Sequence, residues 1–410
     1  MEKNENIVTN ANKSGYEKRN VPTLRFKTFE QKWEYSTIGE CSISLEYGMN
    51  ATAIKYDGKH KYIRITDIDE ETSAFIPNPL SSPDGELEEK YLVKENDILF
   101  ARTGASVGKS YLYNNNDGEL YFAGFLIRAR IKSEYNGTFI YYQTKSKKYD
   151  RWVKLTSMRS GQPGINSQEY SSYPIALTSK DEQDKIADFL QLLDNRISVQ
   201  NKIIEDLKIL KKELCNDHFK SVLHDASLRY ITLKEILTER KEYCSKDGTY
   251  THGTLSKEGV APKTERYDRD FLVKNEDKQY KVTHLNDICY NPANLKFGVI
   301  CRNTYGDLIF SPIYVTFEIS DNVYPAYIEL FLTNPNFIGR IRRYEQGTVY
   351  ERMAVSPEDF LSYETHIPAY EEQVEFANEM QRIQRKIELE TAFLSSLQNQ
   401  RRFFLNAMFI

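Results

Sequence analysis

The amino-acid sequence predicts an α+β protein built as a pseudo-two-fold internal repeat. Two similar mixed α/β units are separated by two long antiparallel helices that pair as a coiled coil. The first supporting observation is that residues 371–409 repeat residues 181–219 without a gap, so that Phe409 falls on Phe219. The second is an apolar seam with spacing three then four in both stretches, typical of a helix that packs on another helix. The third is a fainter repeat ahead of each helix.

The seam follows the same register in both copies. It runs through Leu190, Leu193, Ile197, Ile204, Leu207 and Leu214 in the first copy, and through Met380, Ile383, Ile387, Leu394, Leu397 and Phe404 in the second. Because the two copies match, the simplest partner of each helix is the other. A helix of about 35–40 residues is roughly 55 Å long, so we expect the pair to hold the two units well apart.

The fainter repeat indicates that both units contain the same order of elements. Asn96-Asp97-Ile98 and Asn286-Asp287-Ile288 each enter an apolar run, and turn-then-strand patterns follow at Gly118 and Gly306. The predicted boundaries are a disordered N-terminal arm at 1–20, a first unit at 21–177, a central long helix at 178–225, a second unit at 226–368 and a C-terminal long helix at 369–410.

Composition excludes several classes of protein. A chain of 410 residues with 40% hydrophobic content is expected to form two or more domains. No run of eighteen apolar residues exists, and the polar N-terminus lacks the apolar segment of a secretory signal. Five cysteines without a CxxC pair indicate a reducing compartment. We therefore expect a cytoplasmic protein without a membrane partner, and scattered histidines predict no metal site.

Local basic stretches stand out against an acidic net charge of −4. One contains Lys145, Lys147, Lys148, Arg151 and Arg159, and the stretch at the same place in the second unit contains Arg340, Arg342, Arg343 and Arg352. The plain interpretation of either stretch is a solvated helix face. Its recurrence in both units of an acidic chain favours binding to phosphates, because Lys and Arg neutralise them.

Two stretches resemble enzyme motifs without completing them. Gly104 to Ser110 resembles a phosphate-binding loop, but three residues rather than four separate its glycines and a strand-like run follows. Asn291-Pro292-Ala293-Asn294 resembles the Asn-Pro-Pro-aromatic motif of adenine methyltransferases, but lacks the second proline and the aromatic residue. The remaining carboxylates form no catalytic arrangement, so the sequence predicts a binding module and no enzyme.

An ordered set of motifs over nearly everything after residue 20 resembles the specificity subunit of type I restriction-modification systems. The motifs are Val21-Pro22-x-Leu24-Arg25-Phe26 with Trp33 and Ile38-Gly39-Glu40, Asn96-Asp97-Ile98-Leu99-Phe100-x-Arg102-x-Gly104, Ser160-Gly161-Gln162-Pro163-Gly164-Ile165-Asn166 with Tyr173-Pro174-Ile175, and Asp181-Glu182-Gln183-x-x-Ile186-Ala187. The second half departs in two places. It lacks the Val-Pro-x-Leu-Arg-Phe lead, and its loop at Gly347 lacks Gln-Pro-Gly.

The resemblance implies a non-catalytic DNA-recognition subunit with two target-recognition domains. Each domain would read one half of a bipartite site on double-stranded DNA, and the helices would set the spacer. The helices would also dock two modification subunits, which carry S-adenosylmethionine and methylate adenine. Restriction subunits would then join, with ATP and Mg²⁺. This chain would hold no cofactor of its own.

Base contacts are expected from the loops near Gly104, Gly161, Asn294 and Gly347, with the helix lysines and arginines mostly on phosphate. The predicted DNA-binding residues are Arg102, Lys109, Lys145, Lys147, Lys148, Arg151, Arg159, Ser160, Gln162 and Asn166 in the first unit, and Asn291, Asn294, Lys296, Arg340, Arg342, Arg343, Gln346, Thr348, Tyr350 and Arg352 in the second.

Three alternatives stay open at this point. The chain would be a self-contained enzyme if, purified alone, it bound ATP or S-adenosylmethionine tightly. It would be a helical scaffold or adaptor if changes in the predicted loops left its function intact. A degenerate decoy subunit would retain the fold without reading DNA. The recognised bases and the spacer length do not follow from the residues.

Overall fold

A computed structural model describes residues 7–9, 20–159, 161–245, 249–257, 259–263, 279–346 and 353–410 of the chain. The chain divides into two compact units. The first unit is Met1–Asn201 with Phe393–Ile410, and the second unit is Lys202–Ala392. Each long helix therefore contributes to both units. No helix in the described ranges is long and apolar enough to cross a membrane.

The first unit is built from short strands and short helices ahead of a long one. Its strands are β1 (Ile7–Thr9), β2 (Leu24–Phe26), β3 (Glu34–Thr37), β4 (Ser42–Tyr47), β5 (Thr52–Lys55), β6 (Lys61–Ile63), β7 (Ser81–Asp84), β8 (Asp97–Ala101), β9 (Ser110–Leu112), β10 (Leu120–Phe122), β11 (Leu126–Ile131) and β12 (Pro174–Leu177). Its helices are α1 (Ile38–Cys41), α2 (Gly137–Gln143), α3 (Lys147–Thr156), α4 (Ser167–Ser171) and the first part of α5 (Lys180–His224).

The second unit repeats this order. Its strands are β13 (Arg229–Thr232), β14 (Leu237–Glu239), β15 (Tyr243–Cys244), β16 (Thr251–Ser256), β17 (Gly259–Pro262), β18 (Tyr280–Thr283), β19 (Ile288–Tyr290), β20 (Ile300–Arg302), β21 (Leu308–Phe310), β22 (Val315–Ile319) and β23 (Glu364–Ile367). Its helices are α6 (Pro325–Leu332), α7 (Pro335–Ile341), α8 (Pro357–Leu361) and most of α9 (Tyr370–Ala407).

The sheet topology confirms the predicted internal repeat. The first unit has an antiparallel sheet of order β4-β11-β8-β9, and the second has β14-β22-β19-β20 in the same relation. The pairs β3-β12 and β13-β23 also correspond. Equivalent hydrogen bonds recur in both units, since Ile38 N donates to Tyr173 O at 3.0 Å and Leu233 N donates to Tyr363 O at 2.9 Å.

The two units differ in their additional strands. In the first unit β5 pairs with β7 and β6 with β10, as separate two-stranded sheets. In the second unit, β15-β18-β21-β16-β17 form one five-stranded sheet. The repeat therefore covers the central sheets and the helices, while the added strands are particular to each unit.

The long helices pair antiparallel inside each unit. In the first unit the rings of Phe189 and Phe404 meet edge to face at 4.9 Å, and Arg401 forms an ion pair with Asp194. In the second unit Lys211 Nζ donates to Gln384 Oε1 at 2.8 Å, and His218 stacks on Phe376. All twelve predicted seam residues are buried or half-buried. The arrangement agrees with the fold class expected from the sequence.

The core of the first unit includes residues from the far end of the chain. Leu405, Met408 and Phe409 belong to the same buried cluster as Trp33 and Phe139. The ring of Phe409 lies 6.3 Å from Trp33 and 5.4 Å from Phe139, centroid to centroid. The first unit is therefore discontinuous in sequence, whereas the second is one continuous segment.

The predicted disordered arm at 1–20 falls mostly outside the described residues, which omit 1–6 and 10–19. Within it, Ile7–Thr9 pairs antiparallel with Leu24–Phe26.

Candidate nucleic-acid interface

Two loops of the first unit lie side by side, as the predicted site requires. One follows β8 at residues 102–108, and the other follows α3 at residues 157–166. Gly104 N donates to Pro163 O at 3.0 Å, and Ile165 N donates to Arg102 O at 2.9 Å. These main-chain bonds fix the two loops as one surface.

Gly104 has a steric reason to be glycine. Its φ is +74°, and a Cβ placed there would lie 3.0 Å from Nε2 of Gln162. The following residues form a 3-10 turn at Gly104–Ser106 and then strand β9. A phosphate-binding loop leads from a strand into a helix N-terminus, so this loop has a different geometry.

Arg102 lies beside two aromatic rings. Its guanidinium carbon is 4.9 Å from the ring centroid of Tyr47 and 5.9 Å from that of Phe125. Its Nε is buried without a hydrogen-bond partner in the described structure. Burial alone would raise the pKa of Tyr47, but hydrogen bonding with Ser167 and the adjacent Arg102 charge lower it. The two rings therefore border the guanidinium of Arg102.

Other predicted residues of these loops have internal partners. Lys109 Nζ lies 2.9 Å from Glu70 Oε1. Arg159 pairs with Glu169 and donates from Nη1 to Thr156 O at 3.0 Å. Asn166 caps α4, because its side chain accepts from Glu169 N at 2.9 Å. Gln162 is exposed, and Ser160 lies outside the described residues. Lys147, Lys148 and Arg151 are exposed on α3.

The prediction for Lys145 needs correction. Its Nζ donates to Ser73 Oγ at 2.8 Å and to Ser110 O at 2.9 Å, and lies 4.6 Å from the Tyr141 ring centroid. Burial lowers the pKa of Lys145 to about 7; the Arg401 charge acts in the same direction and Asp194 opposes it. Because the ammonium points into the unit, Lys145 is not available to phosphate.

In the second unit the corresponding loops are joined in the same way. Val355 N donates to Pro292 O at 3.3 Å, the counterpart of the bond between Ile165 and Arg102. Asn291 is buried and accepts from Ala293 N at 3.1 Å, so its side chain shapes the turn. Asn294 and Lys296 are half-buried beside it.

The predicted arginines of the second unit lie at the end of α7. Arg340 is half-buried and lines a cavity with Phe337 and Tyr363. Arg342 and Arg343 are exposed in the 3-10 turn that follows. Gln346 donates from Nε2 to Asp359 Oδ2 at 2.9 Å. Thr348, Tyr350 and Arg352 lie outside the described residues, as does Gly347.

Sequence reasoning missed the two rings that lie beside Arg102. Tyr47 precedes Gly48, and Phe125 follows Gly124. A Cβ at Gly48 would lie 2.3 Å from Ala123 O, so glycine permits the two chain segments to approach closely. An aromatic residue beside a glycine in two neighbouring turns was the available signal.

The chain is similar in sequence to known proteins. Residues 30–209 match the family model for the type I restriction modification DNA specificity domain. The specificity subunit of the type I restriction enzyme MjaVIII from Methanocaldococcus jannaschii is 25% identical over 230 residues, which are 54% of this chain and 50% of that protein. The match thus spans about half the length of this curated relative.

Solved structures of low sequence identity share the fold over nearly the whole chain. The type I restriction-modification S subunit from M. genitalium has 16% identity and a TM-score of 0.57, covering 95% of this chain and 99% of that one. A chain from a study of complex assembly and conformational transition of the type I system has 13% identity and a TM-score of 0.56, covering 92% and 97%. The expected resemblance is confirmed: residues 30–209 match the model of the type I restriction modification DNA specificity domain, and the two solved structures share the fold of the chain.

Proposed function

We propose that this chain is the DNA sequence-recognition subunit of a type I restriction-modification enzyme and that each unit reads one half of a bipartite site. The observation that supports this proposal is a repeated scaffold with different loop chemistry. The same main-chain bond joins the loops in both units, yet Arg102 in one unit corresponds to Pro292 in the other. Similar supports with unlike side chains suit two different short target sequences.

Two readers in one chain are energetically useful. A mismatched base pair typically costs about 1–3 kcal/mol, so a few positions give modest discrimination. When one unit is bound, contact by the other becomes intramolecular, which raises the overall affinity. The acidic net charge is compatible with this role because partner subunits would enlarge the surface that contacts DNA.

The long helices expose apolar side chains that would suit docking of further helices. In the first unit Leu192 is 69% exposed and Val199 60% exposed, and in the second Leu389 is 62% exposed. We propose that two modification subunits bind the long helices, bringing S-adenosylmethionine, and that restriction subunits with ATP and Mg²⁺ join them. In this proposal the chain itself is non-catalytic and acts in the cytoplasm.

The test is to express the chain with its modification subunit and to sequence the methylated adenines in exposed DNA. The expected result is a split motif with a constant gap. Replacing Arg159 and Gln162 together by Ala should relax one half of the motif and leave the other half intact. Arg229→Ala is the matched control, since Arg229 is also an exposed arginine in an ion pair, 3.1 Å from Glu235.

Three other outcomes would favour the alternatives. A complex that assembles but yields no motif would indicate a decoy subunit. A complex whose DNA recognition is the same with and without the loop changes would indicate a helical adaptor. Tight binding of ATP or S-adenosylmethionine to the isolated chain would instead indicate an enzyme.

A further inference from the structure

We propose that Arg102 reads a guanine in the half-site of the first unit, and that the second unit makes no equivalent contact because Pro292 stands in its place. This inference rests on the proposed function. The two half-sites would therefore be read differently at this position.

The surroundings of the Arg102 guanidinium are aromatic. Its central carbon lies 4.9 Å from the ring centroid of Tyr47 and 5.9 Å from that of Phe125. Within the described part of the chain no carboxylate lies at ion-pair distance from it, whereas Lys109 and Arg159 on the same loops are paired with Glu70 and Glu169. A guanidinium without a counter-ion among the described residues of an acidic chain indicates that Arg102 binds an acceptor on another molecule.

The chemistry of a guanidinium allows two acceptors on DNA, the edge of a guanine and a phosphate. The planar fork of a guanidinium matches the O6 and N7 acceptors of guanine at the major-groove edge, and it can also donate two hydrogen bonds to a phosphate. The aromatic rings beside Arg102 favour the base edge, because apolar contacts add to base reading and not to phosphate binding.

The surface around Arg102 carries exposed apolar side chains and a side-chain amide. Phe125, whose carbonyl accepts from Arg102 N at 3.1 Å, is 58% exposed. Met158 on the adjoining loop is 65% exposed, and Gln162 lies against Gly104. An arginine, an amide and two uncovered apolar side chains provide the combination that reads base edges and thymine methyl groups in the major groove.

The second unit has a different residue at the position of Arg102. Pro292 occupies the position of Arg102, as the equivalent bonds from Val355 N and Ile165 N show. Proline has no side-chain donor. The neighbouring Asn291 is buried, and its side-chain Oδ1 accepts a hydrogen bond from Ala293 N. The second half-site therefore lacks the contact that Arg102 provides to the first.

The experiment uses the full chain with its modification subunit and compares the wild type with Arg102→Lys, which retains the charge but loses the planar fork. The methylated motif and the DNA affinity at several salt concentrations are measured. In Arg102→Lys, discrimination at one guanine of one half-site should fall by about 5- to 150-fold. The other half-site and the salt dependence should stay unchanged. Arg229→Lys is the matched control and should alter neither.

A second variant keeps the proposal testable if Arg102→Lys does not fold, as judged by its thermal unfolding. Phe125→Leu removes one of the two rings beside the guanidinium, and it should weaken discrimination at the same guanine to a smaller extent. A motif that is unchanged in these variants, with affinity reduced equally for all sequences, would mean a phosphate contact and would overturn the inference. A wild-type motif with no G·C pair in either half-site would also overturn it while leaving the proposed function standing. No split motif from the wild type would instead contradict the proposed function.

Discussion

A buried glutamine at the start of each long helix joins that helix to its own unit. In the first unit Gln183 Oε1 accepts from Asn136 N at 3.0 Å, and its Nε2 donates to Thr178 O at 2.7 Å. In the second unit Gln373 makes the same pair of bonds with Tyr324 N and Pro368 O, both at 2.9 Å. Each side chain satisfies two main-chain groups that would otherwise be unpaired inside the protein.

Replacing Gln183 by Ala should lower the free energy of unfolding by about 2–4 kcal/mol, because a buried donor and a buried acceptor lose their partner. Urea denaturation followed by circular dichroism measures this change. The matched control is Gln191→Ala, since Gln191 is exposed on the same helix. Equal stability of the two variants would contradict the role assigned to Gln183.

The buried ammonium of Lys145 predicts a pH dependence of stability. The pKa of Lys145 is lowered in the folded unit from 10.5 to about 7, chiefly by burial. The unfolded chain therefore binds more protons between these two values, so this group's contribution to stability rises with pH across that window and is constant below it. The Lys145 ammonium donates hydrogen bonds to Ser73 and Ser110 and lies over the ring of Tyr141. The charge of Arg401 lowers its pKa, and the charges of Asp194 and Asp150 raise it.

Thermal unfolding from pH 6 to pH 10 tests this prediction. Relative to Lys145→Met, the wild type should gain stability as the pH rises above about 7. Lys147→Met, an exposed lysine of the neighbouring helix, should give a curve parallel to that of the wild type. A parallel curve for Lys145→Met as well would show that its ammonium is solvated.

Roles at the residue scale were the least accessible to sequence reasoning. Lys145, Lys147 and Lys148 are adjacent in a basic stretch, and only the packed unit distinguishes the inward lysine from the two outward ones. Likewise Glu182-Gln183 was recognisable as repeated, but its bonds reach Asn136, which is 47 positions earlier. Which polar side chain is buried depends on tertiary contacts that lie far apart in sequence.

At the scale of elements, the long helices were the most predictable part of the fold. Their periodicity of three and four is local, and α5 and α9 span Lys180–His224 and Tyr370–Ala407. The five-stranded sheet of the second unit was not predicted, because β15 to β17 have no counterpart in the first half that would have marked them as repeated. Short strands without a repeat give a weak signal.

The seam of α9 should contribute much more to stability than its exposed face. Leu397 is 1% exposed, whereas Leu389 on the same helix is 62% exposed. Leu397→Ala should cost about 2–5 kcal/mol because it leaves a cavity in a packed interface. Leu389→Ala should leave the urea midpoint of the isolated chain nearly unchanged. Similar losses in both variants would mean that the helix packs through a different face.

At the scale of the whole molecule, the first unit depends on the last residues of the chain. Thr23 Oγ1 donates to Ala407 O at 3.0 Å, and Phe409 is 8% exposed between Trp33 and Phe139. The internal repeat predicted this arrangement only indirectly, through the pairing of the two helices. The aromatic contacts themselves join Phe409 to Trp33 and Phe139, which lie hundreds of positions earlier and beyond the reach of any local pattern.

Phe409→Ala should destabilise the first unit by about 3–5 kcal/mol, as expected for removal of a buried ring. Phe403→Ala is the control, because Phe403 is 57% exposed. Hydrogen exchange resolved by segment is the suitable measurement, since it should report loss of protection around Trp33 and Phe139 in Phe409→Ala. Unchanged protection there would show that Phe409 is dispensable to that core.

The discontinuous first unit has a consequence for biosynthesis. A ribosome makes its sheets first, yet the residues that close its core are translated only after the whole of the second unit. The second unit, continuous from Lys202 to Ala392, has all of its residues earlier. The nascent polypeptide should therefore complete its halves in the reverse of the order in which they are translated, and the early half should remain sensitive to protease until residues 393–410 have left the ribosome.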